Sequence, residues 1–456
     1  MAGTYKLKRI LGLKEAIIIN LGAIIGAGIF VIIGIAAGRA GPAIIISIFI
    51  SAVIAIFTGL SFSEIAQHIS KEGGVYEYAK ESFNPAAGFI GGTMWTFSNM
   101  IAISAVSLSL GSYINSLLHL NINLIIFGIP VIILFALLNI FGIKNSTKTL
   151  SILVSVNVAI LIIFIITGIF YLHASHFSNF MPYGFNGIMA GSALIFFAFT
   201  GFSRITTVGN EVKNPEKTIP KAIIISIIIS SFLYVIIAVI AIGLIPYTSL
   251  AHASAPLSAA ISILHNPYLD IIIAIGGITA TAGVVLTGIL GTSRVLYAMG
   301  RDHEIPGKFS HIDRYATPVY SIILSMAISL IFITFVGFST IIEASNVSVL
   351  ISYSIVDFSS IILWAKIKNG NPQHLREHQA FFLIPSMGII TIFITIAFLG
   401  LKAIEISLAV LLFVSLVYFL KYLLASKGYL KKIKSSIPAV SIVRVIGKSR
   451  EKIRKL

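Results

Sequence analysis

The residues best placed to do chemistry in this chain are glycines rather than acids, bases or nucleophiles. Gly22-Ala23-Ile24-Ile25-Gly26-Ala27-Gly28-Ile29-Phe30 sits inside an apolar run from Ala16 to Ala37 that is long enough to cross a bilayer as a helix. Glycine weakens a helix interior more than any residue except proline, so the spacing predicts a helix that comes undone near Gly26 to Gly28. Unwound backbone is tolerated in hydrocarbon only where it is buried in protein or lines a watery cavity. Freed amides there would make a small positive end suited to a carboxylate. Gly22-x-x-x-Gly26 also has the spacing that lets two membrane helices pack closely, and from this stretch alone both readings stand.

A second interruption recurs much later, at Phe196-Phe197-Ala198-Phe199-Thr200-Gly201-Phe202, followed by Asn210-Glu211-Val212-Lys213-Asn214-Pro215 and Pro220. Carbonyls at a half-helix carboxyl end suit a cation as freed amides suit an anion, and a zwitterion satisfies both. Of the ionisable residues inside apolar runs, Asp357 is the deepest acid and a candidate for ion coupling or for a structural partner. Glu15 and Glu64 fall near helix ends, where gate or packing contacts are expected. Arg204 is expected as a gate ion pair or a snorkelling interface residue, with attraction of an acidic guest as the alternative. Histidines 119, 173, 176, 252 and 265 show no metal-like spacing and read as solvated loop residues; no metal site is expected.

The 456-residue chain is 57% hydrophobic and 11% charged, with a mean hydropathy of +1.00. That composition defines an all-α membrane protein. Cysteine is absent, which excludes disulfides, thiolate metal sites and cysteine nucleophiles. Apolar runs predict about twelve transmembrane helices, near 15–37, 42–65, 85–118, 122–142, 150–172, 187–209, 219–245, 268–299, 318–338, 341–365, 380–400 and 402–425. With a cytoplasmic amino terminus, only Arg39 and Lys402 of the 32 lysines and arginines fall in outer segments, so both termini are expected in the cytoplasm of a cell-membrane protein. The net charge of +16 then reads as orientation, with the tail resting on anionic membrane lipids, and not as nucleic-acid binding.

Interrupted helices at corresponding places in two halves signal an inverted repeat with its site at midmembrane. The expected divisions are a cytoplasmic start (1–14), a first repeat (15–172), a second repeat (187–365), two extra helices (380–425) and a basic tail (426–456).

The two interruptions, together with Ser63-Glu64-Ile65-Ala66, Gly73-Gly74-Val75-Tyr76, Glu211-Val212-Lys213-Asn214-Pro215 and Arg294-Val-Leu-Tyr-Ala-Met299 with Arg301-Asp302, resemble the amino acid/polyamine/organocation permeases from about Leu11 to Pro318. The resemblance implies a five-plus-five inverted-repeat bundle with broken helices 1 and 6. It places a substrate carboxylate on amides of Gly26, Ala27 and Gly28 and the amine on carbonyls of Ile24, Phe197, Ala198 and Thr200. Phe197 would close over the guest, with Phe202 and Glu64 as further gate candidates. In sodium-independent relatives a fifth-helix lysine serves coupling; here Asn157 stands in its place. Thr279 and Thr281 occupy positions where sodium-coupled relatives place a ligand, although hydroxyls that bond their own helix backbone are the plainer reading. Coupling by proton or sodium stays open, and no other cofactor is expected.

The function expected is secondary active amino acid transport by alternating access. Ala27 and Thr200 being small, with Phe199 and Phe202 apolar, a small neutral or apolar side chain is preferred. An exchanger, a polyamine or cationic amino acid permease, a membrane-embedded enzyme and an amino acid sensor are the alternatives. No acid pair or nucleophile elbow supports the enzyme, and no nucleotide motif supports ATP-driven transport. A bulky residue at Gly28 is expected to abolish binding while leaving the protein folded.

Overall fold

The computed structural model describes residues 9–26, 28–118, 120–335, 338–368 and 380–426. Ala27, His119 and the tail from 427 onward lie outside the described residues, as do 1–8 of the expected cytoplasmic start. Sixteen α-helices are present among the described residues: α1 (Leu13–Ile24), α2 (Ile33–Ala40), α3 (Ile44–His68), α4 (Val75–Ser82), α5 (Pro85–Leu118), α6 (Ile125–Ile140), α7 (Ile143–Gly168), α8 (Gly184–Phe199), α9 (Pro215–Leu244), α10 (Tyr247–His252), α11 (Pro256–Ile261), α12 (Pro267–Arg301), α13 (Val319–Phe335), α14 (Phe338–Lys368), α15 (Ala380–Ala397) and α16 (Leu401–Ser426).

Eight apolar helical stretches are long enough to cross a membrane, and α6, α13 and most of α15 are shorter apolar helices. The first of the eight, Leu13–His68, carries two crossings separated at Gly41-Pro42, where φ of +65° at Gly41 turns the chain. The protein is thus a multi-pass all-helical membrane protein in which α1 with α2 forms the first span and α16 the twelfth. Apolar side chains of α16, such as Leu412 and Phe413, face outward, as expected against lipid.

The packing follows the repeat. The first span lies against the sixth, α3 against α9, α5 against α12 and α6 against α13, so these four touch their counterparts five spans on. Cross pairs recur too: α3 packs on α8 as α1 packs on α9, and α5 on α14 as α12 on α7. α15 and α16 stand outside this arrangement, on α14 and α3 and on α14 and α5 respectively.

The first span breaks as its glycines predict. α1 ends at Ile24, Ile25 leaves the helical region (φ −77°, ψ 83°), and winding resumes at Gly28 in a wide π-helical turn, Gly28–Ile32, before α2. The sixth span differs from expectation. Its interruption is a change of winding in place of an unwound stretch: α8 runs to Phe199 and passes into tighter 3-10 turns over Thr200–Glu211, with a kink at Val208 (φ −110°, ψ 26°). Such long 3-10 runs are uncommon, and here hydroxyls support the winding. Thr200 donates to the Phe197 carbonyl, Ser203 to Thr200, Thr206 to Ser203 and Thr207 to Arg204, each three residues back.

Glu15 proves to be a helix-start residue, its Oε2 accepting from the Gly12 amide at 2.8 Å. Just before it, Leu11 forms a parallel bridge with Val212, and the amides of Ile10 and Leu11 both donate to the Glu211 carbonyl at 3.0 Å.

Candidate functional site

The two interrupted spans meet backbone to backbone. A Cβ on Gly201 would stand 2.5 Å from the Ala23 carbonyl carbon and 2.6 Å from the Ile24 nitrogen. One on Gly28 would stand 2.2 Å from the Ala198 Cβ and 2.6 Å from its Cα. The two spans therefore pack closely through Gly28 and Gly201, and a bulky side chain at Gly28 would have to displace Ala198 of the other span.

Between the breaks lies a cavity of about 20 Å³ lined by Ile24, Gly28, Phe197, Ala198 and Thr200, five of the seven expected contacts. That is room for roughly one water, so any larger guest requires the walls to move apart. Gly26 does not line it; the place of its missing Cβ is filled by Val284 Cγ2 at 2.1 Å, so Gly26 serves the approach of α12. Phe199 and Phe202, expected to form the apolar pocket, are turned away: Phe199 packs on Tyr234 and Phe202 on Phe62 and Tyr353. The apolar walls come instead from Ala23, Ala102, Val284 and Val349.

Side chains from four further spans cap the carbonyls at the breaks. The Tyr234 hydroxyl donates to the Ile24 carbonyl at 2.6 Å and lies 3.2 Å from that of Ala198, bridging both breaks. Tyr113 donates to Phe30, Tyr353 to Thr200, and Asn157 Nδ2 to Ile25 at 3.1 Å. Asn20 reaches the other way, its Oδ1 accepting from the Ile205 amide at 3.0 Å. A buried carbonyl left without a donor costs about 1–3 kcal/mol, which is why each break recruits partners. None of these tyrosines carried a motif; only burial and aim identify them. Asn157 does stand at the first break, with its Oδ1 buried and without a partner among the described residues.

The remaining coupling candidates divide. Asp357 is fully buried; its Oδ2 lies 3.4 Å from the Thr58 hydroxyl, and its Oδ1 has no partner among the described residues. Thr279 and Thr281 donate to carbonyls of their own helix and line no part of the cavity.

Arg204 contradicts expectation. Among the described residues it forms no ion pair, it is 5% exposed, and it lines the cavity. The reason is the 3-10 winding. Residues three apart eclipse one another there, so Arg204 falls on the same face as Gly201, the face pressed to the first span.

The ion pairs expected of a gate lie farther along, at the end of the bundle holding α4, Glu211 and the end of α12. Arg294 Nε meets Glu211 at 3.0 Å with both side chains buried. Arg301 reaches Glu72, Glu77 and Asp302, Lys80 also meets Asp302, and Lys71 meets Glu77 and Glu81. Burial works against the Asp302 charge, but hydrogen bonds from Arg301 and Lys80 outweigh it and hold the carboxyl below its usual value. Burial dominates at Glu77 and pushes its carboxyl up. Glu64 instead lies beside His68 and Gln67 of its own helix. At the opposite end Arg39 stands 3.9 Å from Glu343, which accepts from the Gly400 amide.

A membrane bundle of paired repeats in which two interrupted spans meet around a small central cavity has the architecture of a secondary transporter. Residues 11–423 match the family model described as amino acid permease, and the chain belongs to that family. It is 30% identical over 439 residues to the branched-chain amino acid permease BcaP of Bacillus subtilis (strain 168), covering 92% of this chain and 94% of that one. A methylthioribose transporter of the same organism is 29% identical, covering 85% of this chain and 86% of its own. The vacuolar cationic amino acid transporter 4 of Arabidopsis thaliana is 30% identical over 81% of this chain and 66% of its own.

Proposed function

We propose that this permease is a secondary active transporter that carries α-amino acids across the cell membrane by alternating access, with both termini cytoplasmic. The observation that carries the reading is the contact of the two interrupted spans around an enclosed cavity. The Gly28 amide side suits the substrate carboxylate, and the carbonyls of Ile24, Ala198 and Thr200 suit the amine. The Ile24 and Ala198 carbonyls share the one Tyr234 hydroxyl, and that of Ile24 keeps a second lone pair for an ammonium, whereas Thr200 already accepts from both Tyr353 and Ser203. Alanine and valine walls favour a guest with a small side chain.

For coupling, a proton on Asp357 is the reading its burial favours, because an ionised carboxylate without a cation is costly inside a membrane. Sodium at Thr279 and Thr281 is disfavoured, since both hydroxyls are already committed to their own helix.

Counterflow in proteoliposomes tests the proposal. Uptake of labelled amino acid driven by a pH gradient and lost in Asp357→Asn is the expected result. Uptake only against internal amino acid would make the protein an exchanger, and dependence on sodium would move coupling away from Asp357. Absence of uptake under all three conditions by folded protein would remove the transport reading.

A further inference from the structure

Arg204 is a buried guanidinium facing the cavity without a carboxylate. Its Nε and Nη1 have no hydrogen-bond partner among the described residues, whereas Arg294 and Arg301 are both paired with acids. The side chain is held in place. Its guanidinium carbon lies 5.0 Å from the Trp95 ring centroid, Trp95 Nε1 donates to Ser203, and the Ser203 and Tyr353 hydroxyls are 2.7 Å apart. Other polar groups at the cavity are engaged. The Ser98 and Ser345 hydroxyls donate to each other's carbonyls, and Asn99 Nδ2 donates to the Trp95 carbonyl. Asp357, the buried acid in the neighbouring part of α14, is met by Thr58. The cavity therefore offers unsatisfied cationic donors and, among its lining residues, no carboxylate.

A guanidinium in this position is expensive until an anion joins it, and its planar fork fits a carboxylate by two parallel hydrogen bonds. With the α-carboxylate and amine held at the breaks, the anion that reaches Arg204 belongs to the guest's side chain. We propose that Arg204 sets the charge preference of the site, so that a small amino acid with an anionic side chain, of the size of aspartate, is taken ahead of a neutral one, and a cationic one is rejected. This rests on the transport reading and refines its substrate class. The electrostatic rule runs both ways: the fixed cation that attracts a carboxylate repels an ammonium or guanidinium within several ångströms.

The test is competition in proteoliposomes holding the full chain, with labelled L-aspartate, L-alanine and L-lysine, beside melting temperatures of the detergent-solubilised protein with each. The wild type is expected to prefer aspartate over alanine at least tenfold, with lysine neither transported nor stabilising. Arg204→Gln should reduce the aspartate-over-alanine ratio at least tenfold and admit lysine, and Arg204→Lys should retain part of the preference. A merely structural role would lower all uptake together and leave the ratio unchanged, which overturns the proposal. If Arg204→Gln does not fold, the wild-type ratios and melting shifts decide, and alanine equal to or above aspartate overturns it. Alanine uptake without aspartate preference leaves the transporter standing and removes only the Arg204 role. No uptake of any of the three removes both.

Discussion

Tyr234 shows how a single hydroxyl holds a site built from backbone. It bridges the carbonyls of Ile24 and Ala198, one on each interrupted span, from a fully buried position on α9. Tyr234→Phe keeps the ring and strands two acceptors, so a loss of about 1–3 kcal/mol is expected, read as a lower melting temperature in detergent together with weaker amino acid binding. A variant with unchanged melting and affinity would show that the bridge is incidental. Asp302 carries a pH signature. Its folded carboxyl titrates below the unfolded value, so its contribution is present above about pH 4 and fades as the pH falls through the folded value. Asp302→Asn should therefore destabilise the protein at neutral pH, and the gap in melting temperature should narrow as the solution is acidified below about pH 4. A gap constant with pH would contradict the assignment. Tyr234 was not legible in the sequence, because it lies in a uniformly apolar run; Asp302 stood out only as part of the Arg301-Asp302 motif, and its partner Lys80, 222 positions away, did not.

The interrupted spans were legible to different degrees, for a physical reason. In the first span the glycines at 26 and 28 announced the break, because no other residue both weakens a helix and allows backbone contact. In the sixth, the bulky run Phe196 to Phe202 concealed a change of winding, and the hydroxyls at 200, 203 and 206 gave the only clue in their spacing of three. That change rotates everything after Thr200, which is why Arg204 was expected at a gate and lies in the cavity, and why Phe202 points elsewhere. Gly201 marks the pivot. Gly201→Ala would drive a methyl into the Ala23–Ile24 backbone, and overpacking of this kind costs about 1–3 kcal/mol. The expected outcome is a melting temperature several degrees lower and lost transport. Wild-type uptake by Gly201→Ala would mean that the two breaks separate without consequence.

At the scale of the molecule, the twelve crossings were legible because hydrocarbon demands long apolar runs, whereas the ion cluster was not, because α4 lies between spans and meets residues from distant loops. Arg301 joins three carboxylates there, and removing it takes the bridging cation from Glu72, Glu77 and Asp302, leaving Lys71 and Lys80 on the last two. Arg301→Gln should loosen that end of the bundle. Since the chain has no cysteine, Ala102→Cys gives a single reporter thiol in the cavity wall. An impermeant thiol reagent applied from the Arg301 side should label it faster in the Arg301→Gln background, and equal rates would show that the cluster does not hold that end shut.

The short parallel pairing of Leu11 with Val212 adds a constraint on how such loosening proceeds. It ties the start of the first span to the close of the sixth through main-chain bonds that no side-chain change removes. The leading half of one span and the trailing half of the other are thereby yoked. Under the proposed alternating access, an opening on this side is expected as a single coordinated stroke and not the drifting of two independent doors.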